Sequence, residues 1–245
     1  MDDLLFRVLQ AHGGLDRWNR AKRLTARLRL GGPFWGARGW PAVCGNQTAT
    51  FDAHREYIAF APFTGPDRQS RFSVDPERIV IGGSDGEVIT ERLNPRASFP
   101  AEFDPLSTRW DAVQVAYFTS YAVWNYLNEP FLITYPGVEA KEIDPWQEEG
   151  ATWRRLAVTF PPSIATHNAD QVFYYDEQFM QRRRDYSPNV AGGAPIAHYT
   201  HDQKTFEGLV FPTRRRVHLH GENGVADQGF GLITIDIDKV GIGSD

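Results

Sequence analysis

The sequence predicts a mainly β fold, in which one long, strongly curved antiparallel sheet surrounds a central helix, with a short helical segment at the N-terminus. Three observations predict it. Short runs alternate apolar with polar side chains, the period of two that marks half-buried strands. Turn signals rich in Gly, Pro, Asn and Asp separate those runs. One stretch, from about Trp110 to Asn128, breaks the pattern and is apolar or neutral almost all round. No strand–helix–strand alternation, boundary linker or fixed repeat is visible. The chain is therefore expected to form a single domain over residues 1–245.

The elements follow in order. Leu4, Leu5, Val8 and Leu9 share one face of a first helix, which His12-Gly13-Gly14 ends, and Leu15–Trp18 begins another helical turn. From Lys22 to Leu30, Leu24, Ala26, Leu28 and Leu30 alternate with polar residues as a half-buried strand. Gly31–Gly45 reads as a loop carrying Phe34, Trp35 and Trp40, either an entrance lid or aromatics folded onto the sheet. Alternation resumes at Ala49–His54. Further strands are expected near Tyr57–Phe60, Arg68–Val74, Arg78–Ile81 and Glu87–Leu93. Gly82-Gly83-Ser84-Asp85-Gly86 matches a Gly-x-Ser-x-Gly nucleophile pattern. It lies between two strand-like runs rather than before a helix, so a hairpin turn is expected.

Ser107 or Thr108 is expected to cap the Trp110–Asn128 helix, with Thr108-x-x-Asp111 as a weak capping box. A helix without a charged face is usually buried, and in a β protein it lies in the hollow of the sheet. After Pro130, strands are expected at Phe131–Tyr135, Trp153–Phe160, Gln171–Asp176, Phe179–Tyr186, Pro195–Lys204, Leu209–Leu219 and Phe230–Val240.

Composition narrows the function. Of 245 residues, 26 are Lys or Arg and 31 Asp or Glu, a net charge of −5 that argues against nucleic-acid binding, because a cationic surface is what displaces counterions. The lone Cys44 permits no intrachain disulfide. The acidic start, with Arg7 interrupting the apolar run, does not resemble a secretory signal, and no membrane span is visible; a cytoplasmic location is the expectation. Aromatic residues make up 13%, more bulk than a small core requires, which keeps a ligand cavity in view.

Four segments together resemble the LolA-like superfamily of lipoprotein carriers. They are His12–Trp18, the helix with Tyr121-Ala122-Val123-Trp124-Asn125-Tyr126, the Tyr174–Tyr186 hairpin, and Gly208-Leu209-Val210-Phe211-Pro212-Thr213-Arg214-Arg215. The resemblance covers nearly the whole chain through degenerate motifs. It implies a half-barrel sheet wrapped round helices and a hydrophobic cavity. The superfamily also resembles VioE, an enzyme that uses such a half-barrel. No catalytic residue carries over, and fold alone does not fix function.

The candidate ligand-binding residues are Tyr117, Phe118, Tyr121 and Trp124 on the helix, with Arg183, His198 and Arg215 on the late strands. Arg215 is the most informative, since it shares the apolar face of its strand with Leu209, Phe211, Val217 and Leu219. A buried guanidinium needs a partner. An internal acid is the first expectation and an anionic ligand head group the second. His167, His198 and His201, with Asp185 or Asp202, are the candidates for acid–base work, although the sequence brings no pair together. His218-x-His220-x-Glu222 has the spacing of a one-faced ligand set, but Arg214 and Arg216 on the same face would repel a cation, so solvent-facing histidines are expected. No metal or cofactor is expected. The leading reading is a binding protein for a hydrophobic or amphipathic small molecule. The alternatives are an enzyme using the same cavity, and a structural or interaction domain with a filled core.

Overall fold

A computed structural model of the chain describes residues 2–243. Thirteen strands form one antiparallel sheet: β1 (Arg23–Gly31), β2 (Gly45–Asp52), β3 (Tyr57–Ala61), β4 (Arg68–Val74), β5 (Glu77–Gly83), β6 (Val88–Leu93), β7 (Glu139–Glu148), β8 (Ala151–Thr159), β9 (Asp170–Tyr175), β10 (Gln181–Tyr186), β11 (Ile196–Phe206), β12 (Leu209–Leu219) and β13 (Ile233–Gly243). Four helices accompany it: α1 (Asp3–Ala11), α2 (Leu15–Arg20), α3 (Pro33–Ala37) and α4 (Ala112–Asn128). The strand order is β6-β5-β4-β3-β2-β1-β13-β12-β11-β10-β9-β8-β7. The chain's first and last strands therefore pair at the centre, Arg23–Gly31 against Thr234–Gly243, and β6 and β7 are the edges.

Helix α4 shows how strongly the sheet curves. It packs against β3, β4 and β5, while its Asn125 accepts from Arg184 of β10 and its Tyr126 carbonyl accepts from Arg215 of β12. β4 and β10 stand seven positions apart in the order, which on a flat sheet is about 34 Å at ~4.8 Å per strand. A helix about 10–12 Å across reaches both only if the sheet wraps round it. Every residue of α4 from Val113 to Asn128 is buried, as its lack of a charged face requires.

Several details differ from the sequence expectations. The cap of α4 is Asp111 rather than Ser107 or Thr108. Its carboxylate accepts the Gln114 N–H at 2.8 Å, and the Gln114 side chain accepts the Asp111 N–H at 2.8 Å. Phe131–Tyr135 is no strand. Phe131–Thr134 forms a 3₁₀ turn that buries Phe131, Leu132 and Ile133 together, whereas a strand would turn alternate residues outward. Phe131 stacks on Trp18 with ring centres 4.6 Å apart. The edge strand β7 went unrecognised, since Glu-Ala-Lys-Glu-Ile-Asp-Pro-Trp-Gln-Glu shows no alternation, and the register shifts between Ile143 and Trp146, around Pro145.

The Gly31–Gly45 segment folds inward. It contains α3, Trp35 is buried, and Phe34 lies against Phe118 with centres 5.4 Å apart. Gly82–Gly86 forms the β5–β6 hairpin, closed by the Gly83 N–H to the Glu87 carbonyl at 2.8 Å. Among the described residues no helix is long and apolar enough to cross a membrane.

Candidate functional site

An open space lies where the two arms of the sheet meet over α4. One groove, about 770 Å³, runs between the Val74–Glu77 turn and the Phe160–Ala169 connection, with Tyr117 and Arg96 between them. A second, about 570 Å³, continues past Asp52–Tyr57 to Trp124 and Tyr135. Both are bordered by Val74, Asp75, Ser163 and Ile164, so they are two halves of one cleft. Pro161, Pro162, Ile164, Val74 and Phe160 make the first half largely apolar. Its polar end is built from the Tyr117 hydroxyl, which donates to Glu77 at 2.9 Å, and from Arg96, which donates to the Thr166 carbonyl at 2.8 Å.

The residues proposed from the sequence fall into three places. Tyr117 and Trp124 border the cleft. Phe118 is buried under Phe34, Trp35 and Trp110. Tyr121, His198 and Arg215 belong to a polar centre between α4 and the late strands. Arg183 lies on the opposite face of the sheet.

The polar centre is organised by Glu129, the first charged residue after α4. Its carboxylate accepts from Arg184, from Arg215 at 3.0 Å and from Gln181 at 2.9 Å, and all four side chains are buried. The acid expected for Arg215 is thus internal. Two guanidiniums face one carboxylate, 2 − 1 = +1. Beside them runs a chain of hydrogen bonds: Tyr121 hydroxyl to His167 Nδ1 at 3.1 Å, His167 Nε2 to the Tyr126 hydroxyl at 2.7 Å, that hydroxyl to Tyr186 at 2.8 Å, and Tyr186 to His198 Nδ1 at 3.4 Å. Burial, reinforced by the Arg184 charge at His167 and by Arg215 at His198, holds both imidazoles well below the usual histidine range. Burial pushes Tyr126 up to about 12. The centre is therefore a set of neutral rings around a net cation.

Sequence reasoning missed Glu129, Arg184 and the cleft residues Arg96 and Glu56. A signal existed for the first: an acid directly after a long uncharged helix either frays into water or turns inward to a partner.

Arg183 and Arg184 are neighbours and both fully buried, on opposite faces, as strand geometry dictates. Arg183 holds Asp185 through two hydrogen bonds at 2.6 and 2.9 Å, Glu148 at 2.7 Å, and the Gly224 carbonyl at 2.5 Å. It pins the segment after β12 over Trp153, Tyr174 and Tyr199. His218, expected to face solvent, is buried on this outer face beside the Phe230 carbonyl, 2.9 Å from Nδ1. His220 lies 3.2 Å from Asp185, and the side chain of Glu222 lies outside the described residues. No group of three or more His, Cys, Asp or Glu side chains converges among the described residues. His198 and His201 sit three residues apart on β11. His198 is enclosed near Tyr126, whereas His201 is half-buried beside Arg214 and Arg182, so the two share no site.

No family profile and no curated protein match the sequence. Among solved structures, a DUF1329 family protein from Desulfovibrio piger is similar, with 10% identity, a TM-score of 0.50, and coverage of 98% of this chain and 91% of that one. A LolA superfamily protein from Nitrosomonas europaea is more distant, at 7% identity, a TM-score of 0.44, and coverage of 98% and 92%. A putative outer membrane lipoprotein-sorting protein domain from Vibrio parahaemolyticus follows, at 9% identity, a TM-score of 0.41, and coverage of 97% and 91%. At such identities the likeness is one of fold. The fold expected from the sequence, one curved antiparallel sheet with a central helix, is the fold of this chain, and it is similar to that of the Desulfovibrio piger protein.

Proposed function

We propose that the chain is a binding or carrier protein for a hydrophobic or amphipathic small molecule, held in the cleft between the sheet arms. One observation carries this reading: an open, largely apolar groove of about 770 Å³ ends in placed polar groups, Tyr117, Glu77 and Arg96. Small-molecule sites have this character, apolar walls with a few orienting polar atoms. Tyr117 and Trp124, both buried, form the floor beneath the cleft. Phe118, Tyr121, His198 and Arg215 act behind them, fixing α4 against the sheet.

The test is direct binding. Fluorescent acyl-chain probes, both free acid and ester, are titrated into the protein, and native mass spectrometry examines protein purified from its host. Uptake of at least one probe with unit stoichiometry is expected. Ile164→Arg, which places a charge on both halves of the cleft, is expected to weaken it by at least ~tenfold. Absence of uptake of any probe, or uptake indifferent to Ile164→Arg, rejects the cleft as the site.

A further inference from the structure

The two walls of the first groove carry opposite charges that the protein does not pair. Asp75 and Glu77 stand at the β4–β5 turn, and both border the groove. Asp75 is exposed, and its carboxylate enters no hydrogen bond or ion pair among the described residues. Glu77 is half-buried and engages only Oε1, which accepts from the Tyr117 hydroxyl at 2.9 Å. Arg96, also half-buried, borders the same groove and is anchored to the other wall. Its acceptors there are neutral: the Thr166 carbonyl at 2.8 Å and the His167 carbonyl at 3.3 Å, with the Tyr117 hydroxyl at 3.5 Å. Two of its five donors, Nε–H among them, stay unused, and it forms no ion pair among the described residues. Neither Arg96 nor Glu77 has a polar atom that is both buried and unpartnered, so the free Nε and Oε2 keep accessible surface beside the groove.

The other acids of the cleft are already engaged. Asp52 accepts the N–H groups of His54 and Arg55 at 2.8 and 3.1 Å. Glu56 accepts the Ala165 N–H at 2.8 Å, and burial raises it well above the usual carboxylate range, so it adds the least charge. The unmatched charges therefore belong to the apolar half. When a ligand displaces water there, every charge left without a partner is penalised. A head group with one negative charge meets Arg96 but faces two carboxylates. One with a single positive charge meets the carboxylates but faces a guanidinium. A head group carrying both signs satisfies both walls.

We propose that the first groove takes a zwitterionic amphiphile, with its ammonium toward Asp75 and Glu77 and its anionic oxygens, of a carboxylate or a phosphate, on Arg96. This rests on the reading of the cleft as the binding site, with the chain lying along Phe160, Pro161, Pro162 and Ile164.

The experiment uses four probes with one fluorescent acyl chain and different heads. Two are zwitterions: the chain on the side-chain nitrogen of free lysine, and a lysophosphatidylethanolamine. The others are the acyl carboxylate and the acyl amine. Wild type is expected to bind at least one zwitterion about tenfold more tightly than either singly charged probe, the order of one charge-assisted hydrogen bond. Which zwitterion is preferred identifies the anion as carboxylate or phosphate. Asp75→Asn combined with Glu77→Gln, which keeps an acceptor for Tyr117, shifts the ratios about tenfold toward the carboxylate probe. Asp75→Asn alone, at an exposed position, moves them the same way. Arg96→Gln shifts them toward the amine, and opposite shifts are not what a loosened fold produces. Ile164→Arg removes binding of all four. Carboxylate or amine bound by wild type as tightly as both zwitterions, or ratios unmoved by the charge variants, overturns the head-group assignment while leaving the cleft in place. Failure of every probe to bind wild type, or binding that ignores Ile164→Arg, overturns both.

Discussion

Charge balance decides what single substitutions do in the centre around Glu129. With Arg184 and Arg215 against one carboxylate, the buried cluster carries +1. Glu129→Gln takes it to +2 and leaves two guanidiniums without a counterion; Arg215→Met takes it to zero. Breaking a buried pair by removing one partner costs roughly 3–5 kcal/mol, and replacing charge by packed apolar volume is often close to neutral. Urea denaturation is therefore expected to show Glu129→Gln destabilised far more than Arg215→Met, and equal losses would contradict the charge argument. Protonation gives a second test at this scale. Burial lowers His12 from 6.5 to about 4. The unfolded chain binds that proton first as pH falls, so the contribution of a neutral His12 is complete above about 6.5 and is lost down to about 4. The loss is on the order of 3 kcal/mol. His167 and His198 act in the same direction. Glu56 has the opposite sign: its folded state holds the proton longer, so stability falls as pH rises above 4.5. Glu56→Gln is expected to flatten that alkaline slope and leave the acid limb unchanged.

At the scale of elements, α4 is held by its cap and by complete burial. Asp111→Ala removes both the acceptor for the Gln114 N–H and the Arg92 ion pair at 2.7 Å. Thermal melts are expected to show a loss of about 1 kcal/mol, the usual value of an N-cap, with little added by the exposed ion pair. The strands around it were legible wherever one face is dry and the other wet. Leu24, Ala26, Leu28 and Leu30 of β1 are buried, alternating with exposed neighbours. Legibility failed where that condition failed. β7 is a polar edge bent at Pro145, and Phe131–Thr134 is a short apolar run, whose period cannot separate strand from turn. For the site, Arg215 was readable because one cation broke an apolar face. Glu129 and Glu56 were not, since both lie between elements, where no periodicity states which way a side chain points.

At the scale of the whole molecule, β1 and β13 join the two arms, and this pairing spans almost the entire chain. Such non-local closure is slow, because its loop entropy is lost before its contacts form. Deleting residues 233–245 is expected to abolish cooperative unfolding altogether, as followed by near-ultraviolet circular dichroism, since β1 and β12 would each lose a neighbour in mid-sheet. A truncated chain that still melts cooperatively would mean that each arm folds alone.

The same strand order places α4 in an unusual mechanical position. The chain leaves the sheet at one free edge, β6, becomes the helix, and re-enters at the other free edge, β7. The helix is thus spliced covalently to both rims of the surface it fills, like a toggle drawn through the two sides of a coat. Spreading the rims pulls on the toggle, and shifting the toggle pulls on the rims. Width of the opening and seating of the helix are one mechanical coordinate, and a molecule lodged between the arms is felt at the helix without touching most of it.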